Sequence, residues 1–564
     1  MPEVVARAVD AQALALLVAT GVDPRLARLF AARGVGNAAE LTTSLASLLA
    51  PGQLAHVDDA ARLLADAIAA GKRLLIVADY DADGATACAV GLRALRAMGA
   101  KAEYLVPNRF QFGYGLTPEI VRLAAGMKPD ILITVDNGIA SVAGVDEANA
   151  LGIAVLVTDH HLPGAELPLA ACIVNPNQEG CGFPSKHLAG VGVIFYVMMA
   201  LRAELRRRGV FDAAGGPNLA ELLDIVALGT VADVVRLDAN NRILVSQGLA
   251  RLRAGKACAG IAALFEVAGR PLARATAFDL GFVAGPRLNA AGRLDDMSLG
   301  IELLATDDKA RAAELARKLD SLNRERRAIE AGMQDSALAM LDGVDPGDGY
   351  TLSVHHAEWH QGVVGLLASR LKDRFHRPVF AFATDGDGTL KGSGRSIAGL
   401  HLRDALDLVD KRAPGLIERF GGHAAAAGAT IGAARLDEFR AHFEAVAREL
   451  IGPSELAQRI ETDGTLDSPA LSLEFAHLLR AQVWGQGFPE PKFTGRFRVV
   501  SQRVVGEKHL RLTLGINDRR IAAIQFNSVE PLPGTIDAVY RLDVNEYLGA
   551  ETLQLVVEHG SRPV

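Results

Sequence analysis

Hydrophobic positions along the chain fall into two regimes. From Arg73 to Val174, runs that are apolar on both faces alternate with stretches of helical period: RLLIVAD, TACAVGLRALRAMG, AEYLV, TPEIVRLAAG, ILITVD, a helix near Val142 to Ala150, IAVLVTD and CIV. Strands without an exposed face belong to a parallel sheet covered by helices. Near the C-terminal end the period becomes two, in VVSQRVVGEKHLRLTLG, RIAAIQFN, IDAVYRLDVNEY and TLQLVVEHG, which predicts a small antiparallel barrel.

The segments between are helical in pattern. Residues 1–70 carry no recognisable chemistry, and residues 187–300 read as mainly helical with glycine-rich interruptions at GTVAD and GPRLNAAGR. Asp307 to Leu341, with apolar Leu315, Leu319, Leu322, Ile329 and Met333, fits one helix of about 50 Å. A bundle helix would look alike, but the length favours a rigid connector between domains. YTLSV, a helix after His360 and PVFAFA then begin a second α/β unit.

Five segments are therefore expected: 1–70, an N-terminal helical segment; 71–306, an α/β parallel-sheet domain with a helical extension; 307–345, a connector helix; 346–452, a second, smaller α/β domain; and 453–564, an OB-like barrel.

Composition narrows the function. Half of the 564 residues are apolar and 22% are charged, as in ordinary globular proteins. The longest apolar stretch, Val191 to Leu201, is shorter than the roughly 18 residues a membrane span needs, and no secretory signal is visible, so a cytoplasmic protein without a membrane partner is expected. Cys88, Cys172, Cys181 and Cys258 form no CxxC pair, which removes a thiolate zinc cage. A net charge of −7 means that any polyanion must meet a local basic patch.

The chemistry gathers at strand ends. Asp79 follows LLIVA, Asp136 follows ILITV and Asp159 follows IAVLVT, each at the carboxyl end of a parallel strand, where open α/β sheets bind ligands. Asp81 and Asp83 in ADYDADG and His160 and His161 in TDHH crowd the same edge. One such Asp alone reads as a helix cap, but so many carboxylates together require cations between them. DYDADG is no calcium-sensing loop, because its twelfth position is Val90. Neither Gly71-Lys72 nor Gly255-Lys256 is followed by Ser or Thr, and no GxGxxG occurs, so a P-loop and a dinucleotide site are both excluded. Oxygen donors with imidazole suit two Mn²⁺ ions, with Mg²⁺ as the alternative. Two ions about 3.5 to 4 Å apart would activate water and clamp a phosphoryl group, which points to phosphoester or phosphoanhydride hydrolysis.

ADYDADG, TVDNG and TDHH, in that order, resemble the DHH phosphoesterase superfamily, and GGHAAAAG at Gly421 to Gly428 resembles its associated second domain. PNRFQFGYG, LGTVADVV, GPRLNAAGRLDD, EWHQGVVG, KGSGRS and GQGFPEPKF narrow the resemblance to bacterial exonucleases specific for single-stranded DNA. It implies that Asp79 and Asp81 serve one Mn²⁺, that Asp83, His160 and Asp233 serve the other, and that Asp136 bridges. His161 would touch substrate phosphate or support the ligands around the metals, and Asp159 would orient a histidine. Without the resemblance, Asp233 reads as a helix cap after GTVA.

Arg109, Arg287, Arg293, Ser393 and Arg395 are candidate phosphate contacts, since guanidinium forks match phosphate oxygens. Each Arg singly also fits a surface ion pair. The resemblance implies that Arg109, Ser393 and Arg395 read a 5′-terminal phosphate. Gly421, Gly422 and His423 would bring backbone N–H groups to a phosphate, with a Gly/Ala helix-packing seam as the alternative. His355, His356 and His360 lack a carboxylate cluster of this type, so no metal is assigned there.

The basic patch is present. Between Thr494 and Asn527, Arg496, Arg498, Arg503, Lys508, Arg511, Arg519 and Arg520 stand against Glu507 and Asp518, with Phe497 and Phe526 among them. Such strands suit a single-strand-binding barrel, though a solvated strand face would look similar. The resemblance implies a 5′-to-3′ exonuclease releasing 5′-mononucleotides in DNA repair and recombination, with single-stranded DNA, a helicase and a single-strand-binding protein as partners. Hydrolysis of pyrophosphate, cyclic dinucleotides or short oligonucleotides is the alternative, and a binding protein without activity is disfavoured by the complete set of acids and imidazoles.

Overall fold

The structure, a computed structural model, describes residues 2–107, 115–211, 215–340, 349–386, 388–547 and 549–562. Contacts divide the chain into two units, residues 6–320 with 461–564 and residues 1–5 with 321–460.

In the first unit the apolar runs form strands β1 (Arg73–Ala78), β2 (Lys101–Leu105), β3 (Ile131–Val135), β4 (Ala154–Thr158) and β5 (Cys172–Val174). All pairings are parallel, in the order β2-β1-β3-β4-β5. β1, β3 and β4 are buried along nearly their whole length, which is why their sequence shows no alternation. The order reverses between β1 and β3, and the crevice outside their carboxyl ends is where such sheets bind ligands.

Helices α1 (Ala82–Ala97) and α2 (Gly190–Arg207) pack on the sheet, and α3 (Leu223–Ala232) packs on both of them. The apolar run Val191 to Leu201 lies within α2 and is buried but for Met199, so its hydrophobicity serves the core. Among the described residues no helix is long and apolar enough to cross a membrane. GTVAD and GPRLNAAGR are not interruptions: GTVA ends α3, and GPRLNAAGRL forms a helix of its own, α4 (Gly285–Leu294). Their small residues allow close approach, so that a Cβ on Gly229 would lie 2.1 Å from Thr86 Oγ1 of α1 and one on Gly292 1.9 Å from the Tyr80 carbonyl oxygen in the β1–α1 loop.

The barrel strands are β11 (Phe493–Val505), β12 (His509–Ile516), β13 (Arg519–Gln525), β14 (Thr535–Tyr547) and β15 (Ala550–Ser561), closed in the order β11-β12-β13-β15-β14. The expected all-antiparallel barrel is corrected at one seam, because β13 and β15 run parallel. The N-terminal helices brace the barrel's approach segment. Arg33 forms a buried ion pair with Asp463 at 2.8 Å, and Phe30 packs on Trp484 and stacks on Phe488. A strand, Glu3–Ala6, also precedes those helices.

The connector is one helix, α5 (Lys309–Met340), and the division between units falls inside it at Asp320 and Ser321. Residues 341–345 of the expected connector lie outside the described residues. The second unit holds β6 (Leu352–His356), α6 (Val364–Phe375), β7 (Val379–Asp385), β8 (Thr389–Arg395), β9 (Ile417–Gly422) and β10 (Ala426–Gly432). Its sheet runs β9-β10-β8-β7-β6, with only β6 and β7 parallel, over a core of Phe380, Phe382, Phe439 and Phe443. The unit extends to Ile460, eight residues beyond the expected boundary at 452.

Candidate metal centre and phosphate-binding surfaces

The carboxylates converge because three strand ends and two helix starts meet. Asp79 follows β1, and Asp81 caps α1, accepting from the Gly84 N–H at 3.0 Å. Asp83 sits in the first turn of α1, where the helix dipole favours an anion. The Gly190 and Val191 N–H groups, at the start of α2, donate to its two oxygens at 2.6 and 2.9 Å. Two helix N-termini thus face one carboxylate. Asp136 follows β3 at φ 63°, a left-handed conformation that an Asp tolerates at modest cost.

His160 Nε2 lies 3.0 Å from Asp136 Oδ1, 3.5 Å from Asp233 Oδ2 and 3.9 Å from Asp83 Oδ2. Asp233 is at the C-terminal cap of α3, so the cap reading and the site reading both describe it. Donor atoms fall into three sets, each mutually within 4.8 Å: Asp79, Asp81 and Asp136; Asp83, His160 and Asp233; Asp136, His160 and His161. Asp136 and His160 each belong to two sets, as residues between two neighbouring cations would.

The electrostatics fit cations. Asp136 Oδ1, His160 Nε2 and Asp233 Oδ2 are buried without a hydrogen-bond partner, which is costly unless something positive meets them. Burial, then repulsion from Asp81, pushes Asp83 up to about 7 despite its two N–H donors. Burial and the surrounding carboxylates raise Asp136 and Asp233 well above the ordinary range. Burial, with His161 beside it, lowers His160 to about 4, so its imidazole is neutral and its Nε2 is available as a ligand. Burial alone would raise Asp159, but hydrogen bonds from His161 and Ile139 hold it low. Asp159 Oδ1 in turn fixes His161 Nδ1 at 2.8 Å, which sets the orientation of that ring.

A second cluster lies in the other unit. KGSGRS occupies β8 with alternating roles. A Cβ on Gly392 or Gly394 would collide with Phe382 or Phe380, while Ser393 and Arg395 point to the opposite face. Arg395 is mostly buried, and burial lowers its pKa; it donates to Ser393 Oγ and to the Gly394 carbonyl. Beside it lies the start of α6, whose cap Val363 supplies no side-chain acceptor, and a Cβ on Gly365 would stand 2.9 Å from Ser393 Oγ. A helix N-terminus, a hydroxyl and a desolvated guanidinium thus share one place, the chemistry of a phosphate cradle. EWHQGVVG, which ends at Gly365, carried part of the resemblance, but no phosphate role was read from it; the helix start after His360 was the available signal.

GGHAAAAG pairs with KGSGRS, Gly428 opposite Ser393 and Ala426 opposite Arg395. It is a hairpin between β9 and β10, closed by the His423 N–H to the Ala426 carbonyl, so the helix-packing alternative falls. Gly421 and Gly422 lie on its edge.

Other expected phosphate contacts stand differently. Arg287 is buried and forks onto Asp320 at 2.9 and 3.0 Å while donating to the Val283 carbonyl, so it ties α4 to α5 and its charge is already met. Arg293 lies in the last turn of α4, and Arg109 lies outside the described residues.

On the barrel, Arg498, Arg503, Arg511 and Arg520 share the outer face of β11, β12 and β13. Arg503 pairs directly with Arg511, and Gly515 stands between Arg498 and Arg520. A bulge at Val500 makes this possible, since without it Arg498 and Arg503 would point to opposite faces. Lys508 is exposed in the β11–β12 turn. Two of the seven residues are engaged elsewhere: Arg496 forks onto Asp537, and Arg519 donates to the Ser468 and Leu471 carbonyls.

Comparison with known proteins agrees with this geometry. Family models match residues 73–230 (DHH family, N-terminal domain), 347–449 (DHHA1 domain) and 462–559 (RecJ OB domain). The single-stranded-DNA-specific exonuclease RecJ of Dickeya dadantii is 55% identical over 550 residues, covering 95% of each chain. The chain belongs to the RecJ family. The family member of Escherichia coli is 51% identical over 553 residues, again covering 95% of each chain. The crystal structure of RecJ in complex with Mn²⁺ from Thermus thermophilus superposes with a TM-score of 0.82 at 30% identity, covering all of this chain and 79% of that one. A structure of exonuclease RecJ bound to manganese gives 0.61 at 36% identity over 72% of this chain and 98% of that one.

Proposed function

We propose that this chain, a metal-dependent nuclease by family, is a single-stranded-DNA-specific exonuclease that hydrolyses phosphodiester bonds from the 5′ end and releases 5′-mononucleotides. The observation that carries the reading is the set of orphaned buried donors on Asp136, His160 and Asp233, facing one another at the switch point of a parallel sheet. Asp79, Asp81 and Asp136 would hold one cation, and Asp83, His160 and Asp233 the other, with Asp136 shared. Such a pair, Mn²⁺ in our reading with Mg²⁺ as the alternative, supplies Lewis acidity toward a phosphodiester and its attacking water.

The protein's own groups do the rest. The N–H groups of Gly190 and Val191 keep Asp83 in place, and Asp159 aims His161 at the substrate. Arg395, Ser393 and the N-terminus of α6 would receive a terminal phosphate, favouring strands that carry one. The arginine face of β11 to β13 would hold the single strand by its backbone. In the cell we assign the protein to the cytoplasm and to DNA repair and recombination, alongside a helicase and a single-strand-binding protein.

The test is digestion of 5′-phosphorylated single strands, blunt duplexes, short RNA and pyrophosphate with Mn²⁺, beside Asp81→Ala and Asp136→Ala. Loss of mononucleotide release in both variants, with the duplex resistant, is expected. Blunt-duplex digestion, or full activity in either variant, overturns the proposal.

A further inference from the structure

An uninterrupted helical run, Ala277–Leu294, leads to the carboxylate cluster. It contains one π turn, Leu280–Ala284, a distortion that recurs at functional sites. At its C-terminal end the Asn289 side chain accepts from the Ala82 N–H, beside Asp81. In its middle, Gly281 and Gly285 pack against α3, where a Cβ on either would lie 3.1 Å from Val231 Cγ1 or Ala232 Cβ. The next residue of α3 is Asp233.

On the solvent side of this run Phe278 and Phe282 stack on each other, ring centroids 4.7 Å apart and planes within 22°. Both are exposed, 54% and 65%, in a chain whose largest fully buried side chains are mostly phenylalanines. Val234, directly after Asp233, is 62% exposed as well. Just before the run, Arg274 pairs with Glu546 on β14. From Phe282 to Asn289 the helix rises roughly 10 Å, about three nucleotides at about 3.4 Å each.

We propose that Phe278 and Phe282 form a stacking platform for bases of the incoming single strand, a few nucleotides from the bond being cut. Paired bases present no free face to such a platform, so it contributes to the preference for unpaired DNA. Exposed rings on which bases can stack are how proteins hold single strands without reading sequence. The proposal rests on the exonuclease reading.

The test compares KM and kcat on a 5′-phosphorylated 20-mer and a 5′-phosphorylated dinucleotide, for the parent and for Phe278→Leu/Phe282→Leu. Leucine keeps the apolar bulk and removes the stacking face. The 20-mer KM is expected to rise about tenfold with kcat kept, while dinucleotide hydrolysis is unchanged. Phe282→Trp should retain the parental KM. An unchanged 20-mer KM, an equal loss on both substrates, or a fall in sedimentation mass showing the rings to be a self-contact would each overturn the platform. Should the parent protein digest nothing, the exonuclease reading falls. Fluorescence anisotropy of the 20-mer without metal then decides the platform, which requires tighter binding by the parent than by the leucine variant.

Discussion

Gly190 touches both ends of the metal centre: its N–H donates to Asp83 at 2.6 Å, and a Cβ in its place would lie 2.6 Å from Asp136 Cβ. Gly190→Ala should therefore displace Asp136 and weaken Mn²⁺ binding by about 10- to 100-fold, the range seen when groups that position metal ligands are lost. Calorimetric titration with Mn²⁺ checks this, and an unchanged affinity would show that the backbone absorbs the methyl.

A pH dependence follows from the raised carboxylates. Above about pH 4 metal-free native protein keeps protons that the unfolded chain has released, on Asp83 up to about pH 7 and on Asp136 and Asp233, whose carboxyls are raised too, so its stability falls as pH rises. His160, lowered to about 4, acts in the opposite sense between pH 4 and 6.5, but as one group against three carboxylates and His161, which is raised. In chelator, Tm should be lower by a few degrees at pH 8 than at pH 5.5, and the gain on adding Mn²⁺ should be larger at pH 8. Thermal scans at the two pH values, with and without Mn²⁺, measure both. Asp136→Asn should raise the metal-free Tm and abolish the gain.

Gly365→Ala tests the phosphate cradle without removing a charge. A methyl 2.9 Å from Ser393 Oγ and 3.0 Å from an Arg395 nitrogen must displace one of them. The preference for 5′-phosphoryl over 5′-hydroxyl strands should fall about tenfold, while the Mn²⁺ affinity stays unchanged. Competition between the two strands gives the first quantity and calorimetry the second.

The barrel's arginines should separate by their partners. Arg511→Ala removes a charge standing opposite Arg503, and should lower the slope of log K against log salt by about 0.7 for single strands. Arg496→Ala removes a charge already paired with Asp537, and should change the slope little. Fluorescence anisotropy across a salt series distinguishes them.

Much of the metal centre was legible because parallel strands are continuous apolar runs, so Asp79, Asp136 and Asp159 mark their ends without ambiguity. Asp233 was not legible from the residues alone, since a helix end some seventy residues past His160 carries no sign of what it faces. The glycines of GTVAD and GPRLNAAGR were misread because local propensity counts Gly as a breaker, whereas here close helix packing outweighs that cost. The ion pair of Arg287 was not legible for a related reason: its partner Asp320 sits on the next long helix, and sequence spacing does not reveal which charges are already paired.

The extra residue at Val500 sets how this surface can change. Removing one amino acid from the N-terminal half of β11 would turn Phe497 outward and Arg498 into the barrel interior, exchanging inside for outside over the whole stretch. Substitutions there alter affinity by degrees, but a single-codon deletion would strike folding and DNA retention together, so variation in strand length should be confined to the turns.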